Sequence, residues 1–293
     1  RASTPLELFF DLTVVVAVAR AAAGLHHALA DGRGVWPTVG AYAAAFFAIY
    51  WAWMNFTWFA SAYDTDDVLY RVLTLVTMAG ALVMAAGVDR AFERSSYTVM
   101  VVGYVIMRLA MVVQWLRAAS SDPLRRHVDQ RYAIGIASVQ ILWIARLWFP
   151  STVSNATFIV LALAEMAVPV WAERSGPTTS WHPRHITERY GLFTIIVLGE
   201  VVAAATVAVE DAVATEGLSF AVLRLLVGGL LLVFALWWLY FERQADDTLG
   251  GASANVLTFV WGYGQYFVFA AAAAVGAGLE VAIAALQTAS HHG

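Results

Sequence analysis

The feature that most restricts this chain is the recurrence, along nearly its whole length, of apolar runs of about 20 residues. Such a run crosses a hydrocarbon core roughly 30 Å thick as an α-helix. Lipid offers the backbone no hydrogen-bond partners, so a spanning segment has to satisfy its own N–H and C=O groups. Hydrophobic residues make up 61% of the 293 and charged residues 13%. A soluble domain is nearer half apolar and a quarter charged. The expectation is an all-α, polytopic transmembrane helix bundle in contact with membrane lipid. A net charge of -4 gives no basic footprint, which excludes nucleic acid as a partner.

Two missing residue types narrow the chemistry. The sequence has no cysteine, which removes disulfides, thiolate catalysis and cysteine-ligated metals. It also has no lysine, all 17 basic residues being arginine, so a retinal or pyridoxal Schiff base has no amine to form on. No cofactor is expected. No metal site is expected either, because His182 and His185 share a polar loop that offers no obvious third ligand.

Hydrophobic text and turn residues place helices at about 6–29, 36–62, 67–88, 97–119, 129–149, 152–172, 186–208, 218–242 and 252–275. Apolar text continues to Ala289, as a lengthened ninth helix or the start of a tenth. A shift of 184 residues lays the first three helices on the last three: Leu8 on Leu192, Trp53 on Trp237, Val72–Val76 on Val256–Val260 and Gly80 on Gly264. Six helices separate the copies, which gives a parallel repeat of the kind some transporters use. The expected organisation is a first half at 1–174 with six helices, a connecting loop at 175–185 and a second half at 186–293. On that reading the second copy is cut short, with His291-His292-Gly293 a scar. Arginine bias puts the amino terminus on the cytoplasmic side, with Arg117, Arg125, Arg126, Arg131, Arg174, Arg184, Arg189 and Arg243.

Charged groups within spans are costly and mark interior sites. Near the cytoplasmic ends lie Glu7, Asp11, Asp64, Asp66, Asp67, Arg71, Glu188, Arg189, Glu242, Asp246 and Asp247. Near mid-membrane lie Arg20, Arg108, Glu165 and Glu200, two cations and two anions. These four are expected to form two buried ion pairs. Either the pairs only lock helices together, or Glu200 or Glu165 exchanges its arginine during a cycle. Gly199 favours Glu200 by allowing close helix approach. Asp11 is expected to meet Arg71 or Arg189.

The acids of Asp64-Thr65-Asp66-Asp67 follow the aromatic end of a helix. One of them suffices to cap the next helix, and crowding three raises their pKa values. Trp51, Trp53, Trp58 and Tyr63 form either an interfacial belt or the wall of a cavity for a cationic guest. His26 and His27 are expected at the interface.

With these residues in hand, the chain resembles the bacterial low-temperature-requirement A family. The resemblance is carried by PLELFFDL (Pro5–Leu12), YDTDD (Tyr63–Asp67), the helix around Arg108, ERYGLFTIIVLGE (Glu188–Glu200) and FALWWLYF (Phe234–Phe241). It implies a polytopic protein of the bacterial inner membrane and no particular activity.

Three functions follow from the residues. The first is transport of a small solute or ion, alone or coupled to protons, with Asp66 at the entrance, Arg108 as counter-charge and Glu200 titrating. The second is an intramembrane enzyme on an isoprenoid-type substrate. Asp64, Asp66 and Asp67 spell the D-x-D-D of class II terpene cyclases, with Asp66 as the acid and Trp53 and Trp58 sheltering the cation. The third is a non-catalytic sensor, lipid binder or complex subunit. Oligomeric state is not readable.

Overall fold

Local chemistry sets several helix starts in the computed structural model, which describes residues 2–149, 154–174, 176–216, 219–242 and 256–290. Helix α1 (Pro5–Ala30) opens with a reciprocal capping box. The Thr4 amide donates to Glu7 Oε2 at 2.7 Å, and the Glu7 amide donates to Thr4 Oγ1 at 3.3 Å. It ends at Gly32, whose φ of 72° suits a residue without a Cβ. Helix α2 (Val35–Tyr63) carries the aromatic run. Helix α3 (Val68–Arg94) is capped by Asp67, which accepts from the Tyr70 amide. Then come α4 (Thr98–Ser121), α5 (Arg126–Ala145) and a 3-10 turn at Arg146–Trp148. They are followed by α6 (Ser154–Glu173), α7 (Pro183–Glu216), α8 (Phe220–Phe241) and α9 (Val256–Ser290). Ser219 caps α8 by accepting from the Val222 amide.

Among the described residues these nine helices and the turn are the regular structure. Eight of them are long and apolar enough to cross a membrane; α5, which opens on Arg126, Asp129 and Arg131, is the exception. Their exposed faces carry aliphatic residues such as Leu75, Leu82, Leu109, Leu116, Leu230 and Leu231, as a lipid-facing surface requires. This is a multi-pass membrane protein.

Three helix ends differ most from the sequence reading. Helix α3 runs through Asp89-Arg90 to Arg94, because the terminating left-handed residue is Ser95 (φ 51°). Helix α7 continues to Glu216. Helix α9 is one unbroken element of 35 residues, so the apolar text to Ala289 belongs to a lengthened ninth helix. Arg243, Asp246, Asp247 and His291-His292-Gly293 lie outside the described residues.

The chain divides into two compact units, Arg1–Ala17 with Phe47–Ile186, and Val18–Phe46 with Thr187–Gly293. In the first, α3 to α6 pack in sequence, each on the next. The α3/α4 seam is made by glycines. A Cβ on Gly80 would stand 2.8 Å from the Gly103 carbonyl oxygen, and one on Gly87 would stand 2.5 Å from the Met100 nitrogen. Close backbone approach over small residues is how helices associate where lipid removes the hydrophobic drive. The 3-10 turn is held by Arg146, whose guanidinium lies within 5.9 Å of the Tyr97, Trp143 and Phe158 rings.

In the second unit two tyrosines tie the start of α2 to α9 reciprocally. Tyr42 donates to the Ala270 carbonyl at 2.7 Å, and Tyr266 donates to the Ala43 carbonyl at 2.8 Å. Tyr190, Phe193 and Phe269 form its aromatic core, with Trp261 4.7 Å from Tyr190. Ala212, Val222 and Ile283 join α7, α8 and α9. Residues related by the 184-residue shift have unlike surroundings. Trp53 is buried while Trp237 is 47% exposed, and Gly80 abuts α4 while a Cβ on Gly264 would meet nothing within 4 Å.

Candidate functional site

In the first unit several helices turn polar side chains inward, and some of these meet one another. Glu165 on α6 is fully buried and takes three donors. Arg108 Nη2 of α4 lies 2.8 Å from its Oε2, Trp51 Nε1 of α2 lies 3.1 Å from the same oxygen, and Gln140 Nε2 of α5 lies 2.8 Å from Oε1. The Arg108 guanidinium also lies over the Tyr104 ring at 5.7 Å. One carboxylate therefore ties four helices together. The expected Arg108–Glu165 pair is present. Gln140, a lone amide in apolar text, was not singled out in the sequence.

Asp11 is fully buried, and the Trp53 indole donates to its Oδ1 at 2.7 Å. Arg71, one of the two partners expected for it, is committed elsewhere: Nε and Nη2 each lie 2.9 Å from the Asp66 carboxylate. Trp51 and Trp53 are therefore core hydrogen-bond donors and do not form an interfacial belt. Trp58 packs edge-on against Trp181 at 4.9 Å. Glu7 does more than cap α1, since His185 Nε2 lies 3.2 Å from its Oε1 with both side chains fully buried. His185 belongs to the first turn of α7 and not to the loop, so its burial was hidden from the sequence.

The acidic turn is a capped, ion-paired corner. Asp66 adopts a left-handed φ of 46° and is more than half exposed, as is Arg71. The Arg71 guanidinium holds its carboxyl below the usual carboxylate range. Asp67 is also held low, first by the Tyr70 amide and then by Arg117 Nη2. For Asp66 and Asp67 the expectation that crowding raises these pKa values is overturned, because each found an arginine or an amide first. A carboxyl held ionised is a poor donor to an alkene. Asp64 is half-buried on the same turn.

In the second unit Glu188 is exposed, while its neighbour Arg189 is fully buried on α7. Residues of α1, α7 and α9 here line a half-open cavity of about 310 Å³. Its walls are aliphatic and small, including Val18, Ala22, Val197, Ala204, Ala273 and Gly276. Three charged side chains line it: Arg20, Glu200 and Glu280. Glu280 is joined to His26 Nδ1 at 3.0 Å, with both side chains about four-fifths covered. Glu200 makes no hydrogen bond or ion pair among the described residues. Of the two ion pairs expected among these four residues, the one with Glu200 is thus not formed, and Arg20 is exposed. Gly199 faces open space and serves no close approach. His26 and Glu280 were missed as site residues. Yet Glu280 is a lone acid in GAGLEVAIAAL, the same signal that marked Glu165 and Glu200.

No solved structure matches the chain. It is 28% identical to an uncharacterised protein of Rhizobium meliloti (strain 1021) over 90% of its own length, and spans 65% of that relative. The matching family model is described as bacterial low temperature requirement A protein and covers residues 2–293, so the chain belongs to that family, as its motifs implied.

Proposed function

We propose that the protein is a carrier for a small solute or ion across the bacterial inner membrane, with Glu200 as its proton- or cation-binding group. One observation carries this reading: a carboxyl with neither hydrogen bond nor ion pair lines an aliphatic cavity within a membrane-spanning helix. A carboxyl without a partner beside aliphatic walls in a membrane span is a place where a cation can bind. Glu165, the other candidate, already has three donors, and its charge is matched by Arg108. Arg108 is then part of a fixed clamp, and Asp66 belongs to an ion-paired corner at the rim.

The amino terminus is placed in the cytoplasm by arginine bias, and the repeat of the first three helices in the last three belongs to the same reading. The test is flux in proteoliposomes loaded with ions, protons or metabolites. Glu200→Gln is expected to reduce flux at least tenfold, while Glu210→Gln, at an exposed position on the same helix, leaves it unchanged. Flux that survives Glu200→Gln intact would count against the carrier.

A further inference from the structure

The composition of the cavity says what kind of ligand it fits. The carboxyls of Glu200 and Glu280 face a space whose other side chains are alanine, valine, glycine and a single arginine, Arg20. With His26 neutral, the two acids outnumber the one fixed cation, so the site is one positive charge short of balance. With His26 protonated, the deficit closes. A bare metal ion is a poor fit. Hard cations replace their water shell with six or more oxygens, or with rings of carbonyls. Here the side chains offer two carboxyl groups and no other oxygen. Among the described residues no group of three His, Asp or Glu side chains is placed to hold a metal. An alkylammonium is different, since its charge is met by the carboxyls and its body by the aliphatic walls.

We propose that this cavity binds a small organic cation of the alkylammonium class, and that protonation of His26 competes with it. The groups that bear on His26 are Glu280 at 3.0 Å and the His27 ring, whose centroid is 5.1 Å away. Glu200 and Arg20 share the cavity with Glu280. When the imidazole charges, it takes over the Glu280 carboxylate and cancels the deficit that attracted the ligand. Binding one proton thus expels one cation, which is the elementary step of an exchanger. The inference rests on the same cavity as the carrier reading and adds to it the ligand class and the competing proton site.

The test is equilibrium binding to the detergent-solubilised full chain, which needs no transport. Ethylammonium and tetramethylammonium chloride are titrated calorimetrically, with potassium and magnesium chloride for comparison. An alkylammonium is expected to bind about tenfold more weakly at pH 5 than at pH 8, as one imidazole proton competes. Glu200→Gln is expected to abolish binding. His26→Asn and His26→Gln are both expected to retain binding at pH 8 and to lose most of the pH dependence, with circular dichroism confirming the fold. Saturation by potassium or magnesium in place of the ammonium ions overturns the ligand class. An undiminished pH dependence in folded His26 variants overturns the switch. Flux of another solute without ammonium binding leaves the carrier standing and removes this inference; binding without flux does the reverse.

Discussion

A fully buried carboxylate that satisfies three donors and a fully buried carboxylate partner that is missing have very different costs. Removing one member of a buried pair leaves an uncompensated charge, a loss of about 3–5 kcal/mol. Glu165→Leu, which strands Arg108, is expected to fall in that range by unfolding in micelles, and the double variant Glu165→Leu with Arg108→Met to be more stable than the single one. The acidic corner behaves oppositely, because Asp66 and Arg71 are both largely exposed. The Asp66 pKa is lowered by Arg71, so the pair's contribution is present above the ordinary carboxylate range and fades as pH falls through the folded value. The difference in Tm between wild type and Asp66→Asn is therefore expected to be small at pH 6, smaller still in high salt, and to shrink as pH falls below the ordinary carboxylate range. At this scale the sequence marked Glu165, Glu200, Asp11 and Arg108 correctly as inward-facing polar residues, because a lone charge in apolar text has few places to go. Which donor each would meet was not legible, since Trp51, Gln140 and Trp53 read as ordinary helix residues.

Helices in this chain are delimited by chemistry that a single residue supplies, and joined by seams that single atoms decide. At the α3/α4 crossing a Cβ on Gly103 would stand 2.6 Å from the Gly80 oxygen and 2.7 Å from the Met84 Cα, backbone atoms that cannot swing aside. Gly103→Ala is expected to cost about 1–3 kcal/mol, the usual range for overpacking, measured by thermal unfolding in detergent. Gly199→Ala, where the added carbon meets nothing within 4 Å, is expected to be neutral or to gain up to about 1 kcal/mol from helix propensity. Element positions were legible because a 20-residue apolar run has one stable solution in lipid. Ends were less so. Asp89-Arg90 resembled a break, yet the helix persists until Ser95 turns left-handed. The faces chosen by Gly80 and Gly199 could not be told apart, because glycine looks the same in sequence whether it meets a neighbour or open space.

At the scale of the whole molecule, orientation is the property that arginine bias predicts most directly and that chemistry can check most simply. With no native cysteine, single cysteines report their side of the membrane without background. Leu124→Cys, at an exposed position between α4 and α5, is expected to resist an impermeant maleimide applied to intact cells, and Glu93→Cys, at the far end of α3, to react. The reverse pattern would invert the topology. The cavity itself was only half legible. Arg20 and Glu200 were marked by depth among four mid-membrane charges, but where each side chain lies and the arrival of Glu280 with His26 depend on tertiary placement. Two walls of that cavity, α7 and α9, are 34 and 35 residues long. At about 1.5 Å per residue each measures roughly 50 Å, some 20 Å more than the oily slab it crosses. Tilting absorbs only part of that excess. Both rods must stand proud of the slab among the lipid headgroups, so a charged visitor meets folded protein before it has to leave water.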